Sequence, residues 1–215
     1  MKAKEKSLKE NMEVKWAGYI RKLAALMLGM AMIGLTACGS AEPYKLVLGS
    51  GVEVTPGTTT VQEMADAGYE FKNAIGMPGL TEDGNVETSF NTKAYDIDME
   101  VEGNTIYLGT ALVKDGKKIA NVSIVNRSLS EKPLAECIIC DIEVGTDFEG
   151  AMDAVINGMA FGDISKDSLT EALGKPDIAY KTGDYCKWEK GKYSIDIYMN
   201  DDGSTDRVGV GYNEH

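Results

Sequence analysis

The sequence predicts an α+β fold in which two tandem repeats of a short helix packed on an antiparallel sheet follow a cleaved signal peptide. Two capped helical segments, several segments of alternating polar and apolar residues, and an apolar run near the amino end support this prediction. With 215 residues, 43% of them hydrophobic and 26% charged, the chain has the composition of a globular protein with one domain or two small ones.

The amino end has the layout of a signal peptide. A lysine-rich stretch leads into an apolar run at residues 23–35. This run is too short to span a bilayer comfortably, because spanning takes about 20 apolar residues. We therefore expect residues 1–37 to be a cleaved signal peptide.

The apolar run ends in a segment that resembles the lipobox of bacterial lipoproteins: Leu35, Thr36, Ala37 and Cys38. The small residues let the signal peptidase approach, and the cysteine thiol takes the diacylglycerol. We expect Cys38 to be the lipidated first residue of the mature chain. The membrane would then be a partner through the lipid anchor, with the protein held outside the cytoplasm on the outer face of the cell membrane.

The predicted mature chain is strongly acidic. Residues 1–37 hold seven of the 22 Lys and Arg residues and three of the 34 Asp and Glu residues, which leaves 15 basic against 31 acidic residues and a net charge near −16. Such a field repels nucleic acid and anionic lipid headgroups, so we expect no nucleic-acid partner. The charge serves either solubility or the attraction of cationic partners.

Two short helices are predicted from their capping residues. The first begins at Thr60, with Glu63 three residues on to complete a capping box, and ends at Gly68. The second begins at Ser165 and ends at Gly174. Because both are short, each needs a sheet to pack against.

Strands are predicted where polar and apolar residues alternate, at 95–101, 106–113, 119–125, 138–144, 185–189, 193–199 and 207–212. Asp115 and Gly116 form a good hairpin turn between two of them. Each half of the chain thus has one helix followed by several strands.

The predicted chain divides after the signal peptide into three parts. Residues 38–57 hold the lipidated cysteine, a tether and a first strand, residues 58–145 the first repeat, and residues 146–215 the second. The segment 145–162 fits either a helix or a loop, and 73–91 has no clear place in this layout.

The second half resembles a known family. Capping and turn residues followed by aromatic-rich strands carry the resemblance: Gly162, Ser165, Leu169, Leu173, Gly174, Lys175, Pro176 and Asp177. They resemble the helix-and-sheet repeat of small bacterial lipoproteins related to the beta-lactamase inhibitor protein fold and to the small lipoprotein of the outer-membrane assembly machinery. The first half, over 58–71 and 126–144, is similar to uncharacterised Gram-positive lipoproteins with two such repeats. The resemblance implies binding of proteins, or inhibition of enzymes, through the open face of a sheet.

Three cysteines remain after the lipidated one: Cys137, Cys140 and Cys186. The alternation of a predicted strand places Cys137 and Cys140 on opposite faces, so they would not converge on a metal or on each other. They are either buried structural thiols, or Cys186 pairs with one of the other two.

No catalytic constellation is evident, and we expect neither enzymatic activity nor a cofactor. The sequence has a single histidine, His215 at the carboxyl end, and we expect that a terminal residue cannot be held in a triad or a metal site. The acidic pairs Asp96 with Asp98 and Asp141 with Glu143 alternate with apolar residues, as on the solvated face of a strand.

The acidic segment 200–206 is a hairpin turn in this interpretation and not a calcium loop. A calcium loop aligned on Gly203 would need an acidic ligand at its first position, where Tyr198 stands. We therefore expect no metal site.

Recognition remains as the function, with exposed aromatic residues as anchors. Alternation places three tyrosines opposite apolar strand residues and so toward solvent: Tyr107, Tyr185 and Tyr198. In the case of Tyr107, this places Ile106 and Leu108 inward. The leading hypothesis is a non-enzymatic module that binds an envelope or secreted protein or peptide.

Two alternatives stand beside this hypothesis. The first is an inhibitor or sensor of secreted hydrolases, whose basic surfaces the acidic face would bind. The second is a binder of a small solute or carbohydrate, which would need a deep pocket with clustered aromatic residues.

Overall fold

The computed structural model describes residues 42–73, 79–80, 86–87 and 94–213. The predicted signal peptide, the lipobox, the lipidated Cys38 and the carboxyl-terminal His215 lie outside the described residues. So does most of the segment 73–91, whose place in the fold the sequence leaves open.

Both helices form where their capping residues predict. Helix α1 (Val61–Asp66) follows Thr60, whose hydroxyl accepts the Glu63 backbone N–H at 3.2 Å. The Glu63 carboxylate accepts the Thr60 backbone N–H at 2.7 Å, which completes the capping box. Helix α2 (Lys166–Leu173) begins after Ser165 with the same reciprocal pair of hydrogen bonds.

The strands of the described residues, in chain order, are β1 (Leu46–Val47), β2 (Glu53–Val54), β3 (Glu70–Asn73), β4 (Gly79–Leu80), β5 (Val86–Glu87), β6 (Glu100–Val101), β7 (Thr105–Lys114), β8 (Lys117–Asn126), β9 (Lys132–Pro133), β10 (Ile138–Gly145), β11 (Val155–Ile156), β12 (Met159–Ala160), β13 (Ile178–Ala179), β14 (Tyr185–Lys190), β15 (Tyr193–Met199) and β16 (Thr205–Tyr212).

Eight of these strands form the main sheet in the order β13-β14-β15-β16-β10-β8-β7-β3, with every neighbouring pair antiparallel. A small sheet has the order β12-β11-β1-β2. The strands β4 with β5 and β6 with β9 form two-stranded ladders. The predicted α+β class with antiparallel sheets is therefore confirmed, and strands from both halves of the chain share one main sheet.

The segment between the halves is a compact set of turns. Two single turns of 3-10 helix, Ala151–Asp153 and Phe161–Asp163, flank the hairpin of β11 and β12. The hairpin belongs to the small sheet, where β11 pairs with β1. The segment is thus neither an α-helix nor an irregular loop, because a hairpin and two 3-10 turns make up most of it.

One buried cluster joins both helices to the two sheets. It includes Met64 of α1, Leu169 of α2, Leu46 of β1 and Trp188 of β14. Side chains of the main sheet that alternate with this cluster point the other way and form what we call the open face: Asn121, Asp141, Glu143, Tyr185, Lys187, Asp196, Tyr198 and Arg207. The main sheet therefore has an apolar side toward the helices and a polar, tyrosine-bearing side.

The predicted strand over 95–101 is mostly wrong. Only its last two residues, Glu100–Val101, form a strand. The Asp96 carboxylate accepts the backbone N–H of Asp98 at 3.1 Å, and this local bond turns the chain instead of extending it. The apolar residues of the segment still pack against the core, so the alternation was correct about burial.

The three cysteines of the described residues are free thiols. Cys137 and Cys186 are buried, and Cys140 lies in a bulge of β10, where its thiol donates to the Ser123 carbonyl at 3.4 Å. Burial raises the pKa of Cys140 to about 11, so this thiol is uncharged at neutral pH. The alternative in which Cys186 pairs with one of the other two is not what the structure shows.

Candidate binding face

Three tyrosines stack at one end of the open face. Tyr185 of β14 is the direct partner of Tyr198 of β15, and their ring centroids are 4.9 Å apart. Tyr180 donates its backbone N–H to the Tyr185 carbonyl and places its ring centroid 4.7 Å from that of Tyr185. Tyr180 is 58% exposed and Tyr198 is 41% exposed, so the tyrosine cluster presents a broad aromatic surface to solvent.

The tyrosine predicted on the other half of the sheet points inward. Tyr107 packs against the buried cluster, and its ring centroid lies 6.4 Å from that of Tyr95. Ile106 and Leu108 are 54% and 66% exposed instead. The predicted orientation of Tyr107 is therefore wrong, because a bulge interrupts β7 between Tyr107 and Thr110 and reverses which residues face the core.

Three carboxylates lie along the centre of the open face, on both sides of β16. Asp196 and Glu143 are both paired with Gly209, and Asp141 is paired with Gly211. A Cβ on Gly209 would lie 2.5 Å from Oδ1 of Asp196, and a Cβ on Gly211 would lie 3.0 Å from Oδ2 of Asp141. The glycines therefore leave the space that the aspartate side chains occupy.

The carboxylates raise one another's proton affinity. Burial, followed by the charges of Asp196 and Glu143, raises the pKa of Asp141 to about 7. Burial and the charge of Glu143 raise the pKa of Asp196 to about 6. Lys187 opposes both shifts, and its ammonium pairs with Glu189 at 2.9 Å. Asp141 and Glu143 thus lie on the open face as their alternation predicts, but they are only partly exposed.

We expect Asp141→Asn to stabilise the fold at pH 8 by on the order of 2 kcal/mol, since one unit of pKa shift corresponds to about 1.4 kcal/mol and the open face admits water. Asp141 has a higher pKa in the folded chain than in the unfolded chain, so it binds its proton more tightly when folded. Its contribution to stability is therefore complete below about pH 4 and is lost as the pH rises to about 7. Urea denaturation should show that the free energy of unfolding of the variant rises relative to that of the wild type as the pH increases from about 4 to about 7.

The matched control is Asp98→Asn, which removes the same charge from an exposed turn. This control should follow the pH dependence of the wild type. An Asp141→Asn variant with the pH dependence of the wild type would contradict the raised pKa of Asp141.

A groove of about 460 Å³ adjoins the carboxylates where β7, β8, β10 and β16 lie side by side. Its apolar wall includes Ile106, Leu108 and Val125. Asp141 and Tyr212 line it as well. The open face thus carries an aromatic surface at one end and a partly apolar groove with a carboxylate at the other.

Tyr180 and Asp196 belong to this face but are not predicted from the sequence. Tyr180 follows the two-residue strand β13, too short for alternation to assign its orientation. Asp196 alternates with apolar residues in β15 and was not singled out from other strand carboxylates. One signal was available, because glycine at both Gly209 and Gly211 shows that one side of β16 carries no side chain there.

Among the described residues, no group of three or more His, Cys, Asp or Glu side chains is arranged to hold a metal ion. Within these residues, no helix has the length and apolar character needed to cross a membrane. Comparisons with protein-family models, curated proteins and solved structures found no match to this chain.

Proposed function

We propose that this chain is a non-enzymatic binding module that is anchored by a lipid to the outer face of the cell membrane and binds an envelope or secreted protein through the open face. The tyrosine cluster beside the central carboxylates is the observation that carries this proposal. Tyrosines supply large contact areas with few rotatable bonds and are frequent energetic centres of protein interfaces. The strands hold their backbones in fixed register, so little ordering would be needed on binding.

The pairing of strands supports the proposal of two tandem repeats. The hairpin β1–β2, helix α1 and strands β3, β7, β8 and β10 correspond to the hairpin β11–β12, helix α2 and strands β13 to β16. Equivalent strands meet at the centre of each sheet, β1 with β11 and β10 with β16, and both pairs are antiparallel. In this proposal each repeat begins with its hairpin, ahead of the helix.

Capture of partners tests the binding proposal. We expect the full-length protein, tagged at its carboxyl end, to retain a specific protein from the envelope and secreted fractions of the producing cell. The double variant Tyr185→Ser with Tyr198→Ser should reduce the retained amount at least tenfold, as expected for loss of an interface centre worth about 2 kcal/mol or more. Quantitative mass spectrometry measures the retained protein.

The matched control is Leu129→Ser, which changes an apolar side chain that is 91% exposed and belongs to a loop outside the main sheet. This variant should retain the partner as the wild type does. Equal retention by the tyrosine double variant, or retention of glycans without protein, would contradict the proposal.

Inhibition of a secreted hydrolase is the second candidate function, and the carboxylates of the open face favour it. Their shared charge suits the basic surface of an enzyme. A retained hydrolase that loses activity in a one-to-one ratio with added protein would assign this function, whereas full activity with micromolar protein would exclude it for that enzyme.

The lipid anchor rests on the lipobox and is tested separately. We expect Cys38→Ser to move the protein from the membrane fraction to the soluble fraction, because the lipobox would then have no thiol to take the diacylglycerol. Immunoblotting of membrane and soluble fractions measures the distribution, with Cys186→Ser as the matched control. Unchanged membrane association of Cys38→Ser would contradict the predicted anchor.

A further inference from the structure

The groove beside the carboxylates combines an exposed apolar wall with an acidic end. Ile106 and Leu108 are 54% and 66% exposed, and both line the groove together with Val125. Asp141 lines the groove, and its register partner Gly211 adds no side chain beside its carboxylate. An occupant that fits this groove therefore needs an apolar stem and a positively charged or hydrogen-bond-donating end.

The Asp141 carboxylate oxygens can accept hydrogen bonds from a ligand. Its carboxylate has neither a side-chain hydrogen bond nor an ion pair among the described residues, whereas Glu143 is paired with Arg207 at 3.3 Å. A partly buried carboxylate without a partner is costly to maintain, and a cation brought to it recovers that cost.

The charged groups around Asp141 leave a local excess of negative charge. Asp196 and Glu143 face it from β15 and β10, and Lys187 faces it from β14. Lys187 pairs with Glu189, and Arg127, on the groove wall, stacks on the Tyr212 ring at 4.1 Å. Neither Lys187 nor Arg127 forms an ion pair with Asp141, so the carboxylates of Asp141 and Asp196 can accept an incoming cation.

We propose that this groove binds a lysine or arginine side chain of the partner protein, with its aliphatic stem on Ile106 and Leu108 and its cation at the Asp141 carboxylate. Long basic side chains bury their methylene groups on apolar surface while keeping the charged end in a polar environment. This inference rests on the proposed function and names the chemistry of the partner. In this inference, part of the acidic charge of the chain binds the partner directly, at Asp141.

Binding of a free basic peptide tests the groove without the natural partner. The probe is fluorescent hexalysine, measured by anisotropy with the full-length protein at 150 mM salt, and hexalysine acetylated on every Nε is the uncharged reference. We expect Asp141→Asn to weaken hexalysine binding by on the order of tenfold, as for a lost hydrogen bond to a charged group. Leu108→Ser should weaken it about threefold, and the acetylated peptide should bind at least tenfold more weakly than hexalysine.

Two controls separate the groove from the overall charge. Asp98→Asn makes the same change in net charge at an exposed turn and should leave hexalysine affinity within about twofold of the wild type. Affinity for the wild type should fall as the pH is lowered through about 7, where Asp141 takes up its proton, and Asp141→Asn should lose most of this dependence. Near-ultraviolet circular dichroism of each variant verifies the fold.

Equal affinities of wild type and Asp141→Asn, equal binding of acetylated hexalysine, or no binding at millimolar peptide would each overturn the inference. The proposed function fails separately, since it depends on capture of a natural partner and on the tyrosine cluster. A captured partner that is indifferent to Asp141→Asn would overturn the groove inference and leave the binding module intact. Hexalysine binding without any captured partner would support the groove and count against the module.

Discussion

Replacing Trp188 with alanine should lower the free energy of unfolding by about 4 kcal/mol, the range seen when a buried tryptophan is removed. Trp188 is 2% exposed and lies among the largest fully buried side chains of the described residues. Its indole N–H donates to the Gly174 carbonyl at 2.8 Å, directly after α2. The substitution therefore opens a cavity under the main sheet and also leaves the carbonyl at the end of the helix without its partner. Urea denaturation followed by circular dichroism measures the loss.

A second substitution at Trp188 isolates the loss of the hydrogen-bond donor, and a substitution of an exposed aromatic residue serves as the control. Trp188→Phe keeps most of the apolar volume but not the donor, so it should cost about 2 kcal/mol. Tyr180→Ala removes an aromatic ring that is 58% exposed and should cost less than about 1 kcal/mol. A Trp188→Ala variant as stable as Tyr180→Ala would show that α2 does not depend on this contact.

The elements that sequence predicted correctly are those set by neighbouring residues. A capping box needs only Thr60 and Glu63, three residues apart, and the helix begins there. The turn at Asp115 and Gly116 needs two consecutive positive φ angles, which are 51° and 74° in the structure. Local chemistry of this kind does not depend on where the rest of the chain lies.

Alternation of polar and apolar residues predicts the orientation of only part of β7 correctly. Alternation assigns Thr110 and Leu112 to the core, and both are buried. Continued toward the start of the strand, it assigns Ile106 and Leu108 to the core as well, and both are exposed. A positive φ of 64° at Gly109 accompanies the bulge that reverses the phase, and a single glycine within a strand does not reveal from sequence that a bulge forms.

The open face is a product of pairing between distant segments. Asp141 and Asp196 are separated by 55 positions in sequence and flank β16 only because β10 and β15 pair with opposite edges of that strand. Tyr185 and Tyr198 were placed on the correct side by alternation, yet their direct pairing depends on the register of β14 with β15. Periodicity gives the side of a strand on which a residue lies, and register decides which residues meet.

Asn126→Asp should be about as destabilising as the loss of Trp188, by about 4 kcal/mol at pH 7, because it buries a charge without compensation. The Asn126 amide nitrogen donates to the carbonyls of Val101, Ser130 and Glu102, at 2.8, 2.9 and 3.2 Å. Its amide oxygen accepts the backbone N–H of Ser128 at 3.0 Å. Asn126 is 1% exposed, so a carboxylate there would face three carbonyl oxygens with little access to water.

Comparison with Asn126→Ala separates the charge from the missing hydrogen bonds. Alanine leaves the three carbonyls without their donor but adds no charge, and we expect it to cost about 2 kcal/mol. The extra cost of the aspartate should shrink as the pH falls toward about 4, because below that pH the introduced carboxyl is protonated in both states and can donate one hydrogen bond. Asn213→Asp, on an exposed residue, should leave stability nearly unchanged at every pH. If the two Asn126 variants unfolded at the same urea concentration at pH 7, the three carbonyls would not be excluding a negative charge, and the loop after β8 would have rearranged to admit water.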